Sequence, residues 1–264
     1  MGPTVHGPAS EQVTVNDQTV TLEARAKLTL SLRITGVRND GFHFIDAEMV
    51  TLDLADRLTV LPGGAGLEVR GLFSAGVKVD ESNLVNRALR LCNINAHVQI
   101  DKRIPSGGGL GGGSADAAAI LRWATFTDLV AASKLGADIP FCMIGGRARV
   151  QGIGEIVSPM PFVANDITLV VPPLTISTPT VYKAWDELGE PMSDGANDLE
   201  RAALVVEPQL GYWRDRIVAA TGVTPTLAGS GSTWWIFGAH TNLTEQLPGA
   251  TVLLTKTHPG GESG

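Results

Sequence analysis

An α+β fold is predicted for this chain of 264 residues. Three observations carry the prediction. Apolar and polar residues alternate over 13–34, the period of half-buried strands, and further strand signals lie within 47–61. Ser82–Leu91 places its apolar residues at helical spacing, and an alanine-rich apolar run covers Ala117–Leu121. Beyond residue 166, strand-like and helix-like runs alternate to about residue 255.

The elements follow in order. Residues 13–34 read as a hairpin with a turn at Asn16-Asp-Gln18, its second strand running from about Thr19 to Thr35. Further strands are expected at Ala47–Leu54, Arg57–Leu61 and Gly66–Arg70. Ser82–Leu91 is an amphipathic helix with Ser82 as its cap. His97–Asp101 is a strand, and a helix is expected to start at Ser114. Thr127–Lys134 makes a short helix, and Arg147–Gln151 and Glu155–Ser158 make a hairpin around Gly152-Ile-Gly154. Pro159-Met-Pro161 marks a linker, dividing the chain into domains of 1–158 and 159–264. The second domain should hold strands at Ile167–Val171, Thr233–Phe237 and Thr251–Thr255. Its helices should lie near Thr178–Leu188, Asp198–Val205 and Gln209–Ala220, and the tail from Pro259 to Gly264 should lack regular structure.

Composition narrows the function. With 44% hydrophobic residues the chain can build one large core or two smaller ones. The formal net charge is −7 and no basic cluster exceeds Lys102-Arg103, which argues against a nucleic-acid partner. No apolar run reaches the roughly 18–20 residues of a spanning helix, so no membrane role is expected. Met1–Gln12 lacks the basic-then-apolar pattern of a signal peptide. Cys92 and Cys142 lack metal-ligand spacing and read as two free, buried thiols in a reducing cytoplasm. His6, His97, His240 and His258 have no metal-binding spacing either, and the five tryptophans read as core or interface.

The most informative segment is Pro105-Ser106-Gly107-Gly108-Gly109-Leu110-Gly111-Gly112-Gly113-Ser114, with six glycines in nine residues from Ser106. Glycine lets successive N–H groups converge on one point, and a helix starting there aims its positive end at the same place. This is a device for binding phosphate. It is not a Walker loop, since no lysine precedes Ser114. A Gly-x-Gly-x-x-Gly string runs through Gly107, Gly109 and Gly112, but Pro105 separates it from the preceding strand, unlike a dinucleotide fingerprint. A flexible linker would not run directly into a helix former.

In full, the string resembles the signature of the GHMP kinases, the galactose, homoserine, mevalonate and phosphomevalonate kinase family. Ala26-Lys-Leu28, Asp40-Gly-Phe-His43, Leu135-Gly-Ala-Asp-Ile-Pro-Phe141 and Ala228-Gly-Ser-Gly-Ser232 extend the resemblance in the family's order. They match best its branch acting on a cytidyl-diphosphate-linked alcohol. The resemblance implies a two-lobed α+β fold, with an N-terminal ribosomal-protein-S5-like domain and a C-terminal ferredoxin-like α/β sandwich domain. It implies ATP as co-substrate with Mg²⁺, a small cytidyl-diphosphate substrate, and a cytoplasmic monomer or weak homodimer.

It also implies roles for residues. Asp138 becomes the base or hydroxyl-orienting group and Lys27 its electrostatic partner, a lysine standing in an otherwise apolar strand. The glycine loop from Pro105 to Ser114 takes the triphosphate, with Ser114 on phosphate or a Mg²⁺-bound water, or simply capping the helix. Asn83 lies near the adenine. Lys102 lies over the nucleotide or is a solvated strand-end lysine. Phe42 and His43 hold the cytosine, by ring stacking and by hydrogen bonds to the pyrimidine edge. Phe42 stands where the family usually has Tyr, and Thr29 where it has Asn, so Thr29 keeps a hydroxyl but loses the amide at the acceptor end. Thr178 and Gly231 complete the substrate set, Gly231 in a turn supporting the phosphate region. The stretch Trp123–Lys134 is shorter than usual for the family, which points to a trimmed connection. Two rivals stay open: a GHMP kinase for another alcohol, and a non-catalytic nucleotide-binding protein on this fold.

Overall fold

The computed structural model describes residues 18–261. Strand β1 (Val20–Val37) pairs antiparallel with β2 (His43–Pro62), from Val20↔Val60 to Val37↔His43. The register slips between Arg25 and Lys27 and between Thr29 and Ser31, so bulges flank the part of β1 that carries Lys27 and Thr29. The expected partner of this strand, near residues 13–15, lies outside the described residues. The two separate strands expected over 47–61 are one continuous β2. Next come β3 (Leu67–Arg70), α1 (Leu84–Leu91) and β4 (Ala96–Asp101), with β4 antiparallel to β2 and parallel to β3. Asn83, not Ser82, caps α1: its side-chain oxygen accepts from Val85 N at 2.9 Å, while Ser82 turns to Asp80.

Helix α2 (Gly112–Trp123) begins two residues earlier than expected, because Gly111 at φ 67° already ends the extended loop. Its alanines at 115 and 117–119 are buried, and their small side chains let the helix lie close against β1 and α1. Helices α3 (Leu129–Ser133) and α4 (Ile139–Ile144) follow; α4 was not anticipated, being a single short turn-rich run with Pro140 in its first turn. Strands β5 (Arg147–Gly152) and β6 (Ile156–Met160) form the expected hairpin on the far side of β2. Pro159 belongs to β6, which among the described residues pairs only with β5; an edge strand tolerates a residue without a donor, so the connecting segment starts at Pro161.

The second half contains β7 (Asp166–Val171), α5 (Thr178–Glu187), α6 (Glu200–Val206) and α7 (Gln209–Thr221). It ends with β8 (Thr226–Leu227), β9 (Trp234–Phe237), α8 (Leu243–Gln246) and β10 (Thr251–His258). Its sheet runs β10-β7-β9-β8, all antiparallel. The last two residues of β10 pair with Leu52 and Thr51 of β2, joining the two halves' sheets. Pro259–Gly261 carry no regular structure, though Pro259 and Gly260 lie against Gly145 and Gly146; residues 262–264 lie outside the described residues. Trp185, Trp213, Trp234 and Trp235 are buried and Trp123 packs on the core, as expected. Burial raises the thiol of Cys142 to about 12 and that of the half-buried Cys92 to about 11, so both are inert at neutral pH.

Candidate active site

A cleft of about 1070 Å³ opens between the two halves. Every sequence-nominated site residue lines it: the catalytic pair, the whole glycine loop, and the acceptor set of Thr29, Phe42, His43, Thr178 and Gly231, with Asn83 and Lys102.

Lys27 projects from the bulged part of β1. Its own N–H does not join the sheet there; it donates to Leu110 O at 3.0 Å, tying the strand to the glycine loop. Its buried ammonium lies 3.3 Å from Asp138 Oδ2 and donates to Thr29 Oγ1 at 3.2 Å. Asp138 occupies the cap position of α4, yet its side chain makes no capping bond. The turn therefore delivers the carboxylate toward Lys27 instead of spending it on the helix.

The glycine loop closes over the same point. Gly111 has a left-handed backbone, and a Cβ there would stand 2.7 Å from Lys27 Cγ. Gly109, at φ 80°, faces the second half: its Cβ would stand 2.1 Å from Ala228 O. The closest approach demanded of this glycine is therefore to protein, not to ligand. Gly111 caps α2 without a side chain, so the first N–H groups of that helix keep their donors free for an anion. Ser114 lies inside the first turn of α2 and is not its cap; among the described residues its hydroxyl has no hydrogen-bond partner.

Lys102 is not the solvated strand-end lysine that is one of its two readings: at the cleft wall its buried ammonium is held by Asp56 and, at 2.8 Å, by Asp116 Oδ2. Asp56 also accepts from Arg103 N at 2.6 Å and Ile104 N at 2.8 Å, fixing the entry to the loop. Burial raises the Asp116 carboxyl to about 7; Lys102 opposes the rise and Asp56 adds to it. Asn83 spends its side chain on α1 and on Lys78 O, at 2.6 Å.

At the other end, Phe42 is 56% exposed at the tip of the β1–β2 hairpin, with Arg38 stacked 5.4 Å from its ring centre. The His43 ring packs on Tyr182 at 4.7 Å, and its Nε2 lies 2.7 Å from Asp186 Oδ1. Burial, with Asp138 nearby, raises the Tyr182 phenol above its ordinary range. Thr178 Oγ1 bonds Ser230 Oγ at 2.7 Å, so α5 and the Gly229–Gly231 turn form one wall. A Cβ on Gly231 would stand 2.2 Å from Gly109 N, showing how closely the two glycine turns meet.

Several residues of this site were missed from sequence. Asn197 is buried and donates to Leu227 O at 2.9 Å and Gly229 O at 2.7 Å. Its neighbours bond β1 through Leu32 N to Ala196 O and Asp198 N to Leu32 O, so this segment straps the strand of Lys27 to the Gly229 turn. No local signal marks Asn197, Tyr182 or Asp186. Asp56 and Asp116 did carry one: each is a carboxylate at an apolar position, Asp56 in register with Leu52 and Leu58, Asp116 among alanines.

Comparison with known proteins places this geometry. Residues 83–146 match the model of the GHMP kinases N terminal domain. The chain is 35% identical over 256 residues to a 4-diphosphocytidyl-2-C-methyl-D-erythritol kinase of Paracoccus denitrificans (strain Pd 1222), covering 90% of this chain and 92% of that protein. It is 34% identical over 268 residues to the kinase of that name from Cereibacter sphaeroides (strain ATCC 17025 / ATH 2.4.3), covering 90% and 95%. A crystal structure of 4-(cytidine 5'-diphospho)-2C-methyl-D-erythritol kinase superposes with a TM-score of 0.72 at 28% identity, over 92% of this chain and 100% of that one. The mevalonate kinase of L. major, at 14% identity and a TM-score of 0.67 over 96% and 100% of the chains, shares the fold.

Proposed function

The chain belongs to the 4-diphosphocytidyl-2-C-methyl-D-erythritol kinases of the GHMP kinase family, and from that membership we propose how its cleft transfers phosphate. It is an ATP-dependent small-molecule kinase of isoprenoid biosynthesis, and the hydroxyl phosphorylated is the 2-hydroxyl of 4-diphosphocytidyl-2-C-methyl-D-erythritol. One observation carries the mechanism: the Lys27–Asp138 pair, 3.3 Å apart, lies in the same cleft as the glycine cradle.

The triphosphate of ATP rests on the free N–H groups at the start of α2, in a loop held open by Gly111 and pressed against the second half at Gly109. Asp138 orients the acceptor hydroxyl and takes its proton; Lys27, beside it, stabilises negative charge on the oxygen as it attacks. Thr29 holds the lysine in place, its hydroxyl accepting from Nζ. Lys102, with both carboxylates on it, steadies the loop from beneath. Among the described residues no three side chains cluster to cage a metal. Ser114, whose hydroxyl has no hydrogen-bond partner among the described residues, is the residue that would help hold Mg²⁺ beside the phosphates. Mg²⁺ supplies neutralisation of phosphate charge there. Phe42 and His43 receive the cytosine beside α5, on which the His43 ring packs.

No helix among the described residues is long and apolar enough to cross a membrane. A cytoplasmic setting, a monomeric or weakly dimeric state and independence from nucleic acid belong to the same proposal. The test is coupled ADP release over a panel of acceptors: the cytidyl substrate, homoserine, mevalonate and galactose. Turnover confined to the cytidyl acceptor is expected. Turnover of another alcohol instead, or ATP binding without transfer, would overturn the reading.

A further inference from the structure

The His43 ring is held from three sides. Tyr182 packs on it with ring centres 4.7 Å apart, Trp185 meets it edge-on at 5.6 Å, and Asp186 Oδ1 lies 2.7 Å from Nε2. Its side chain is only 8% exposed. All three partners come from one helix, α5. The two aromatic contacts fix the plane of the ring, but they say nothing about which nitrogen carries hydrogen. Only the carboxylate does that. An ionised carboxylate accepts and never donates, so the hydrogen lies on Nε2. In a neutral imidazole the other nitrogen, Nδ1, is then an acceptor. Among the described residues Nδ1 has no hydrogen-bond partner, and both His43 and Asp186 border the cleft.

We infer that Asp186 is a specificity-determining positioning residue: by taking the Nε2 hydrogen of His43, it makes the imidazole present Nδ1 as an acceptor to the base. This rests on the reading of Phe42 and His43 as the cytosine site. The consequence is chemical. Cytosine carries an amino group that donates to such an acceptor. Uracil has a carbonyl at the same position, which would face the lone pair of Nδ1 with nothing between them. A polar site that leaves a buried group unpaired rejects the wrong ligand far more strongly than a site that merely fits one badly. Asp186 touches no substrate in this account; it acts through His43, as the carboxylate behind a metal-bound histidine fixes that ring's tautomer.

Two measurements test this on the full-length enzyme. The first gives specificity constants for the cytidyl acceptor and its uridyl analogue, in wild type and in Asp186→Ala. Wild type should prefer the cytidyl acceptor. The variant should lose about tenfold of that preference, the usual scale for removing an outer partner of an oriented histidine, with the Michaelis constant for ATP unchanged. A purely structural role would move both acceptors together. The second is ¹⁵N NMR of histidine-labelled wild type, with the His43 signal assigned by its loss in His43→Gln. It should show hydrogen on Nε2 and none on Nδ1, and it needs no Asp186 variant to fold. A cytidyl preference kept in full by Asp186→Ala, or a His43 protonated at Nδ1, would overturn the inference while leaving the cytosine site standing. A wild type indifferent to the base would remove the cytosine site itself, and this inference with it.

Discussion

Replacing Lys27 by methionine tests the centre of the site. Methionine keeps the unbranched stem, which matters because Lys27 Cγ stands 2.7 Å from where a Cβ on Gly111 would be, and it removes the charge together with the hydrogen bond to Thr29 Oγ1. Across 3.3 Å the ammonium–carboxylate attraction is about 5 kcal/mol at an effective dielectric constant of about 20. The cost of taking the buried ammonium out of water offsets most of that. Asp138 keeps 31% of its side chain exposed and is not stranded without its partner. Folding stability should therefore change by no more than about 1 kcal/mol. Turnover should behave differently. Charge develops on the attacking oxygen during the reaction, and losing one oriented electrostatic partner costs about 2.7–4 kcal/mol, a hundred- to a thousandfold in kcat. Asp138→Asn should lose a comparable amount, with ATP binding intact in both. Because the two groups act as a unit, the double variant should be little worse than either single one. The assay is initial-rate ADP release at saturating ATP, with ATP affinity measured separately by titration. A Lys27→Met enzyme within tenfold of wild-type kcat would refute the assignment, and losses that multiply in the double variant would refute the coupling.

The remaining predictions concern the scaffold. Gly109→Ala places a Cβ 2.1 Å from Ala228 O on a left-handed backbone, so it should lower the melting temperature and weaken ATP binding together. Gly113→Ala meets only Leu84 Cδ1, at 3.7 Å, and should fold normally; ATP titration of that variant then isolates the approach of the loop to phosphate. Asn197→Ala leaves the carbonyls of Leu227 and Gly229 without their donor and should cost about 1–3 kcal/mol in urea unfolding. Asp116 should make stability pH-dependent. With its carboxyl raised to about 7, the folded protein holds a proton that the unfolded chain has released, so this contribution is full below the ordinary carboxylate pKa of about 4 and is lost as pH rises through about 7. Urea midpoints should fall over that interval, and Asp116→Asn should flatten the slope; an unchanged slope would remove Asp116 from the account.

Much of this molecule is written locally. The alternation of β1 and β2, the helical spacing of α1 and α7, and the glycine run before an alanine helix depend on near neighbours, and the boundaries expected from them lie within a few residues of those observed. The departures also have local causes: Gly111 turns α2 early, and Asn83 outcompetes Ser82 as a cap because its side chain reaches Val85 N. The family motifs extend this legibility to the cleft, since each is a short contiguous string.

What no window of sequence contains is which distant groups meet. Lys102 reads as a strand-end lysine until Asp56, 46 residues away, and Asp116 close around it. Asn197 is an ordinary turn residue until its amide reaches across to Gly229, and Asp186 an ordinary helix-surface acid until His43 arrives from the opposite half, 143 residues distant. The sequence by itself determined most of the elements, the glycine loop and the motifs that carry Lys27 and Asp138, because these rest on backbone conformation and on strings contiguous along the chain. Only the tertiary structure decided which polar groups are buried, paired and oriented around that pair. The cost of burying a charge or an amide is settled by the partners that the folded chain brings within about 3 Å, and partners so far apart along the chain leave no periodic trace in it.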